Sequence, residues 1–198
     1  MRKKDTKGLF MEVIVKNIIC IFTIKDGEVY IVLEDNKVPC IVCNNEIDIV
    51  NKNYINDLNI DNLDLKQTYI FSEKKDDKLT FYILFNDIVN YDSVKNLNLI
   101  SLDKVENSKF LSKSVDYLKN NIVINNKLNK VINKEFGLPE LQKLLEKVLM
   151  KKFDRRNFRK KLLNSNIIEQ LDRKDNTNFG RPAKLYKFKE NIKDIKIL

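Results

Sequence analysis

Apolar residues crowd the first part of the chain in runs that suit strands. Met11 to Ile24 is dense in Val, Ile and Phe, and Val29-Tyr30-Ile31-Val32-Leu33 follows after Lys25-Asp26-Gly27-Glu28. An Asp-Gly step between two β-branched runs is a strong hairpin signal, because both residues tolerate the positive φ of a tight turn. Gln67 to Phe71 and Leu79 to Phe85 read as two further strands, and the charged segment from Ser72 to Lys78 reads as a connector with turn character. The Asn-rich stretch from Asn44 to Asn62 fits either a short helix around Asn53 to Leu58 or mostly loop.

From Lys104 onward the period changes to that of a helix. Val105, Phe110, Val115 and Leu118 define an amphipathic helix ending near Asn120 or Asn121, and Leu128, Val131 and Ile132 define a shorter one. Phe136-Gly137-Leu138-Pro139 marks a stop and a restart, since Gly suits a helix end and Pro suits a first turn. The helix from Pro139 places Leu141, Leu144, Leu145 and Val148 on one face. This order gives an α+β chain, with one domain over residues 1–121 and a second over 122–198.

The block Asp154-Arg155-Arg156-Asn157-Phe158-Arg159-Lys160-Lys161-Leu162-Leu163 predicts a short helix with Asp154 as its N-cap. At 100° per residue, Phe158 and Leu162 lie about 40° apart and form the buried side. Arg156 and Lys160 point the other way, flanked by Asn157, Arg159 and Asn164. An apolar back with an Arg/Asn/Lys front suits a major-groove reader: Arg binds guanine bidentately, Asn binds adenine, and Lys neutralises phosphate. After it come Ile167 to Leu171, a polar tip from Asp172 to Phe179, and Gly180-Arg181-Pro182-Ala183-Lys184-Leu185-Tyr186-Lys187-Phe188. There Leu185 and Ala183 alternate with Lys184, Tyr186 and Phe188, a pattern compatible with a short last strand. Helix, helix, then a basic-tipped hairpin is the winged-helix order. Gly180 permits a sharp bend and Pro182 holds Arg181 extended, so that its guanidinium is offered to a minor groove.

Charge sharpens this reading. Residues 1–135 balance 20 Lys+Arg against 20 Asp+Glu, whereas residues 136–198 carry 17 against 8, so the whole +9 resides in the last third. Such asymmetry points to a polyanionic partner for that part. The chain has no histidine, which removes imidazole nucleophile pairs, imidazole metal ligands and an imidazole switch near neutrality. Cys40 and Cys43 have C-x-x-C spacing, but only Cys20 remains besides them, too few for a structural zinc site; no metal is assigned. No apolar run approaches the roughly 20 residues of a membrane span, and the basic start lacks a small-residue cleavage site, so a cytoplasmic protein is expected.

Leu138-Pro-Glu-Leu-Gln142, then Asp154 to Leu163, then Gly180 to Phe188 resemble the C-terminal module of the Nudix-related transcriptional regulators, over about Leu138 to Phe188. Phe22-Thr-Ile-Lys-Asp-Gly-Glu-Val-Tyr-Ile-Val-Leu33 and Leu63-Asp-Leu-Lys-Gln-Thr-Tyr-Ile-Phe71 are similar to the Nudix fold's opening hairpin and a later strand. The resemblance implies a Nudix-like sheet domain that senses a nucleotide such as ADP-ribose, a winged helix on double-stranded operator DNA, and a homodimer. It implies repression of genes of NAD or sugar metabolism. Arg155, Arg156, Asn157, Arg159 and Arg181 are then the DNA-contacting set, to which the charge pattern adds Lys160 and Lys184.

Nudix hydrolysis needs a G-x5-E-x7-R-E-U-x-E-E-x-G-U segment, whose helix carboxylates hold magnesium beside a pyrophosphate. Here no glycine occurs between Gly27 and Gly137, and the R-E-U-x-E-E stretch falls on Lys52-Asn53-Tyr54-Ile55-Asn56-Asp57, where only Asp57 is acidic. A catalytically inactive domain is therefore expected, with no cofactor and with unassigned effector residues. The alternatives are a residual pyrophosphohydrolase and an architectural or RNA-binding protein.

Overall fold

A computed structural model describes residues 11–43, 47–60, 63–105, 109–124, 127–132, 134–175 and 183–189. It is α+β as expected. The first domain is built on strand β1 (Glu12–Lys25), which turns through Asp26 and Gly27 into β2 (Glu28–Leu33). Both turn residues have positive φ, 51° and 79°, the twist that a two-residue hairpin requires. Next come β3 (Cys40–Val42), helix α1 (Ile47–Leu58), β4 (Lys66–Lys75), β5 (Lys78–Ile88) and β6 (Asn98–Ser101). The sheet order is β4-β5-β1-β2-β6, with β3 also paired to β1; β1 and β5 run parallel over eleven residues and the other pairs are antiparallel.

One local expectation is corrected and two features go beyond what the sequence suggested. The charged segment from Ser72 to Lys78 is not a connector, because β4 continues to Lys75 and the turn narrows to Asp76 and Asp77. Its Lys and Glu side chains remain solvated on an edge strand, so charge did not oppose pairing. Helix α1 begins at Ile47 and is twice as long as the short helix considered. Glu34 and Lys37, joined by reciprocal backbone hydrogen bonds of 2.9 Å, close a tight turn at Asp35 and Asn36 that the sequence reading did not contain.

From residue 17 to residue 24 β1 is buried on both faces, which is why it reads as a continuous apolar run rather than an alternation. Ile18, Cys20 and Phe22 face one core under helix α2 (Lys109–Ile124), and Ile19 and Ile21 face a second core with Tyr54 and Leu58 of α1. Burial pushes the Cys20 thiol up to about 12, the behaviour of an inert core cysteine.

The second part comprises α3 (Leu128–Val131), β7 (Phe136–Gly137), α4 (Leu138–Leu149), α5 (Arg155–Asn164), β8 (Ile168–Asp175) and β9 (Ala183–Phe188). Strands β7, β9 and β8 form a small antiparallel sheet in that order. A division after residue 121 falls inside the last turn of α2, and the first core runs on without a break through Leu141, Leu145, Phe158, Leu162 and Tyr186. Two charged contacts tie the parts together. Lys147 on α4 pairs with Glu28 at 2.5 Å. Asp87, fully buried at the end of β5, accepts from the Lys127 and Lys130 ammonium groups just before and within α3, and from the Asp64 backbone N–H at 2.7 Å.

Candidate nucleic-acid interface

Helix α5 starts as its sequence dictates. Asp154 is extended (φ −63°, ψ 126°), and its carboxylate accepts from the Asn157 backbone N–H at 2.9 Å. Phe158 and Leu162 are buried, 3% and 0% exposed, against the α4 side of the core. Arg155, Arg156, Asn157, Arg159 and Lys160 are exposed, and together they cover the outer surface of one ten-residue helix. Among the described residues, none of the four basic side chains in that set forms an ion pair.

This arrangement opposes helix stability. The N-terminal end of a helix carries partial positive charge, and cations there cost about 0.3–1 kcal/mol each. Arg155 and Arg156 occupy the first turn of α5, which has no acidic residue. Proteins break local stability rules chiefly at functional or strained sites.

The turn into α5 is held by α4. Met150 closes α4 in the left-handed region (φ 52°), and the Lys151 N–H returns to the Glu146 carbonyl at 3.1 Å. Gln142 Nε2 donates to Glu146 at 2.9 Å and to the Phe153 carbonyl at 3.0 Å, while the Phe153 N–H donates to Glu146 at 2.9 Å. The hydrogen bonds from Gln142, the Phe153 N–H and Lys152 lower the Glu146 carboxyl from its ordinary 4.5 to about 2. Phe153 in turn stacks on Phe158 at 5.7 Å, so Gln142 and Glu146 set the start of α5 through one residue.

Leu163 is the residue that sequence reasoning missed. It is 43% exposed and, counted at 100° per residue, lies about 140° from Phe158, between Arg159 and Arg156 on the outer surface. The same angular count used for Arg156 and Lys160 places it there.

The hairpin is only partly as expected. β8 extends to Asp175, well into the stretch read as a polar tip. β9 is a strand as the alternation suggested, and its buried residue is Tyr186, with Ala183 exposed and Leu185 half-buried. The reason lies in the pairing, since Tyr186 stands opposite Phe136 on one side and Gln170 on the other, in the middle of three strands. Lys184 is exposed on β9 and donates to Gln170 at 2.9 Å, and Lys187 is paired with Glu169 at 2.6 Å. Gly180, Arg181 and Pro182 lie outside the described residues.

In the first domain, Lys52-Asn53-Tyr54-Ile55-Asn56-Asp57 does fall on helix α1. Tyr54 is turned into the core, and Lys52, Asn53, Asn56 and Asp57 are exposed, so this stretch presents a single carboxylate to solvent. Among the described residues no three His, Cys, Asp or Glu side chains are grouped to hold a metal ion. The donor set of residues 52–57 does not fit the divalent cluster of a Nudix pyrophosphatase. Among the described residues no helix is long and apolar enough to cross a membrane.

Residues 129–188 match the family model of the NrtR DNA-binding winged helix domain. The order α3, β7, α4, α5, β8, β9 within that span gives the match its structural content. Comparison with curated proteins gives no significant sequence match. Among solved structures, Shewanella oneidensis NrtR complexed with a 27mer DNA is similar, with a TM-score of 0.65 and 14% identity over 88% of this chain and 93% of that one. NrtR of the same organism without DNA gives a TM-score of 0.65 and 13% identity, covering 89% and 94%. A MutT/nudix family protein from Enterococcus faecalis gives 0.52 and 13%, covering 90% and 88%. Residues 129–188 are thus an NrtR-type winged helix, and the chain as a whole shares the fold of these structures, a mixed-sheet domain followed by a winged helix.

Proposed function

We propose that this chain is a sequence-specific DNA-binding transcriptional regulator that acts in the cytoplasm as a homodimer on double-stranded operator DNA. Arg155, Arg156, Asn157, Arg159 and Lys160 on α5 are its contacts, with Lys184 on β9 and Arg181. The observation that carries this reading is α5 itself: a buried apolar back, an exposed and unpaired cationic front, and two arginines placed where they weaken the helix. Leu163 joins the set as an apolar contact for a thymine methyl group. The similar Shewanella protein was solved on a 27mer DNA, which supports the same use of the fold here.

The first domain serves as a catalytically inactive sensor of ADP-ribose or a related nucleotide, and the regulator represses genes of NAD or sugar metabolism. The support for inactivity is the exposed face of α1, where Asp57 stands beside Lys52, Asn53 and Asn56. The division into a sensor over residues 1–121 and a reader over 122–198 is kept as a functional one, although the cores are continuous.

Selection from random duplexes tests the central claim. One enriched, palindromic site is expected, since half-sites mirror a symmetric dimer. On that site Arg156→Ala costs about 1–3 kcal/mol if its contact is bidentate. No enrichment, or full affinity in both Arg156→Ala and Arg181→Ala, rejects the assignment. Repeating the measurement with ADP-ribose tests sensing, and incubation of the protein with ADP-ribose and magnesium or manganese tests inactivity: any turnover rejects it.

A further inference from the structure

A cavity of about 770 Å³ lies between the two domains, bounded by the start of β2, the segment 101–105, α2 and the end of α4. That size is within the range of small-ligand sites, which favour domain boundaries. Its floor is apolar: Val29, Leu102, Leu111, Val115 and Leu118 from the first domain face Val148 from α4. Its rim is charged. Lys147 and Lys152 are held by Glu28 and Glu146, and Asp103 is bonded to Ser101. Among the described residues Lys119, Lys143 and Lys151 have no carboxylate partner; the Lys119 ammonium rests 3.5 Å from the Met150 sulfur instead. Asp116 also lines the cavity and is exposed. Among the described residues, five lysines against four carboxylates leave a surplus of one positive charge.

We propose that this cavity binds a small organic monoanion with an apolar body, and that its occupant alters the pose of α5. The floor and the single surplus charge fit such a molecule and do not fit a polyanionic nucleotide, so the site is separate from any nucleotide pocket of the first domain. One wall is the segment that sets α5: Glu146 and Lys152 border the cavity, Glu146 holds the Phe153 backbone, and Phe153 stacks on Phe158. An anion that draws Lys151 or Lys152 inward competes with these contacts. Differential contact of this kind is what couples one site to another.

The coupling half of the proposal rests on α5 being the DNA reader; the binding half does not. The probe is 8-anilinonaphthalene-1-sulfonate, which has a fused aromatic body and one sulfonate, compared with uncharged N-phenyl-1-naphthylamine, both titrated by fluorescence into the full chain. The expected result is saturable binding of one sulfonate dye per chain, about tenfold tighter than the neutral dye. Val115→Trp, which sets a bulky ring against the apolar floor where the dye's aromatic body would lie, weakens it at least about tenfold. Lys119→Glu weakens it about tenfold; this position is half-exposed, so the test survives if Val115→Trp fails to fold by circular dichroism. Saturating dye changes the affinity for the selected duplex at least about fivefold in the wild type and not in Val115→Trp. Unchanged dye binding in both variants, or displacement of the dye by ADP-ribose, overturns the site or its chemical class. Dye binding without a change in DNA affinity overturns the coupling. A chain that binds no duplex refutes the proposed function, while the dye titration still decides the cavity.

Discussion

Asp87→Asn removes one charge from a fully buried carboxylate and leaves the Lys127 ammonium facing a neutral amide. The two lysines differ in their escape routes. The Lys130 side chain is 27% exposed and turns to water at little cost, whereas Lys127 is 11% exposed and is held inside. Breaking a buried pair from one side costs about 3–5 kcal/mol, and with Lys130 already partly solvated the lower end applies, about 3 kcal/mol. With about 2.1 cal/mol/K of unfolding entropy per residue, a chain of this length melts about 7 °C lower. Urea and thermal unfolding followed by circular dichroism near neutral pH provide the measurement. Adding Lys127→Met removes the stranded ammonium, so the double variant recovers about 1–2 kcal/mol relative to the sum of the single losses. The reasoning is refuted if Asp87→Asn lies within about 1 kcal/mol of wild type, or if the two changes add.

Asp154→Ala removes the acceptor for the Asn157 N–H and costs about 1 kcal/mol, and hydrogen exchange shows faster loss of protection at the start of α5 than at its end. Gly27→Ala costs about 1 kcal/mol through its backbone alone, because φ is 79° while the nearest atom to the added carbon is a flexible Lys143 methylene at 3.7 Å; a much larger loss means the site is crowded after all. The Glu146 carboxyl is lowered from 4.5 to about 2, chiefly by the Gln142 hydrogen bond, so its charge-linked stabilisation is complete above 4.5 and is lost as pH falls through about 2. The stability gap between wild type and Glu146→Gln is therefore flat near neutrality and closes across that acid window; a gap that instead widens toward acid contradicts the clamp. Affinity for duplex DNA falls linearly in log–log form with salt, and Arg159→Ala reduces the slope by about 1 if it meets a phosphate.

How much was legible in the chain can be judged residue by residue. The Asp26-Gly27 turn, the Asp154 cap and the buried pair Phe158 and Leu162 were all readable, because each depends on neighbours within about four positions. Leu163 was readable by the same angular count, since its position relative to Phe158 is fixed by the helix period. Tyr186 was not readable: alternation along β9 allows either side to face inward, and only the flanking β7 and β8 choose between them. The charged segment after Phe71 failed for a related reason, since an edge strand keeps its charges solvated while its backbone pairs.

The sequence by itself determined where strands give way to helices, which helix carries the cationic face, and that the charge surplus belongs to the last third. These are consequences of side-chain period, turn chemistry and composition, all of which act locally. Tertiary structure alone decided that Asp87 meets Lys127 across 40 residues, that Glu146 reaches forward to fix Phe153, and that a cavity opens where β2, α2 and α4 converge. Those outcomes depend on how a parallel β1–β5 pair and the helices crossing it bring remote segments together, and no local pattern encodes that convergence.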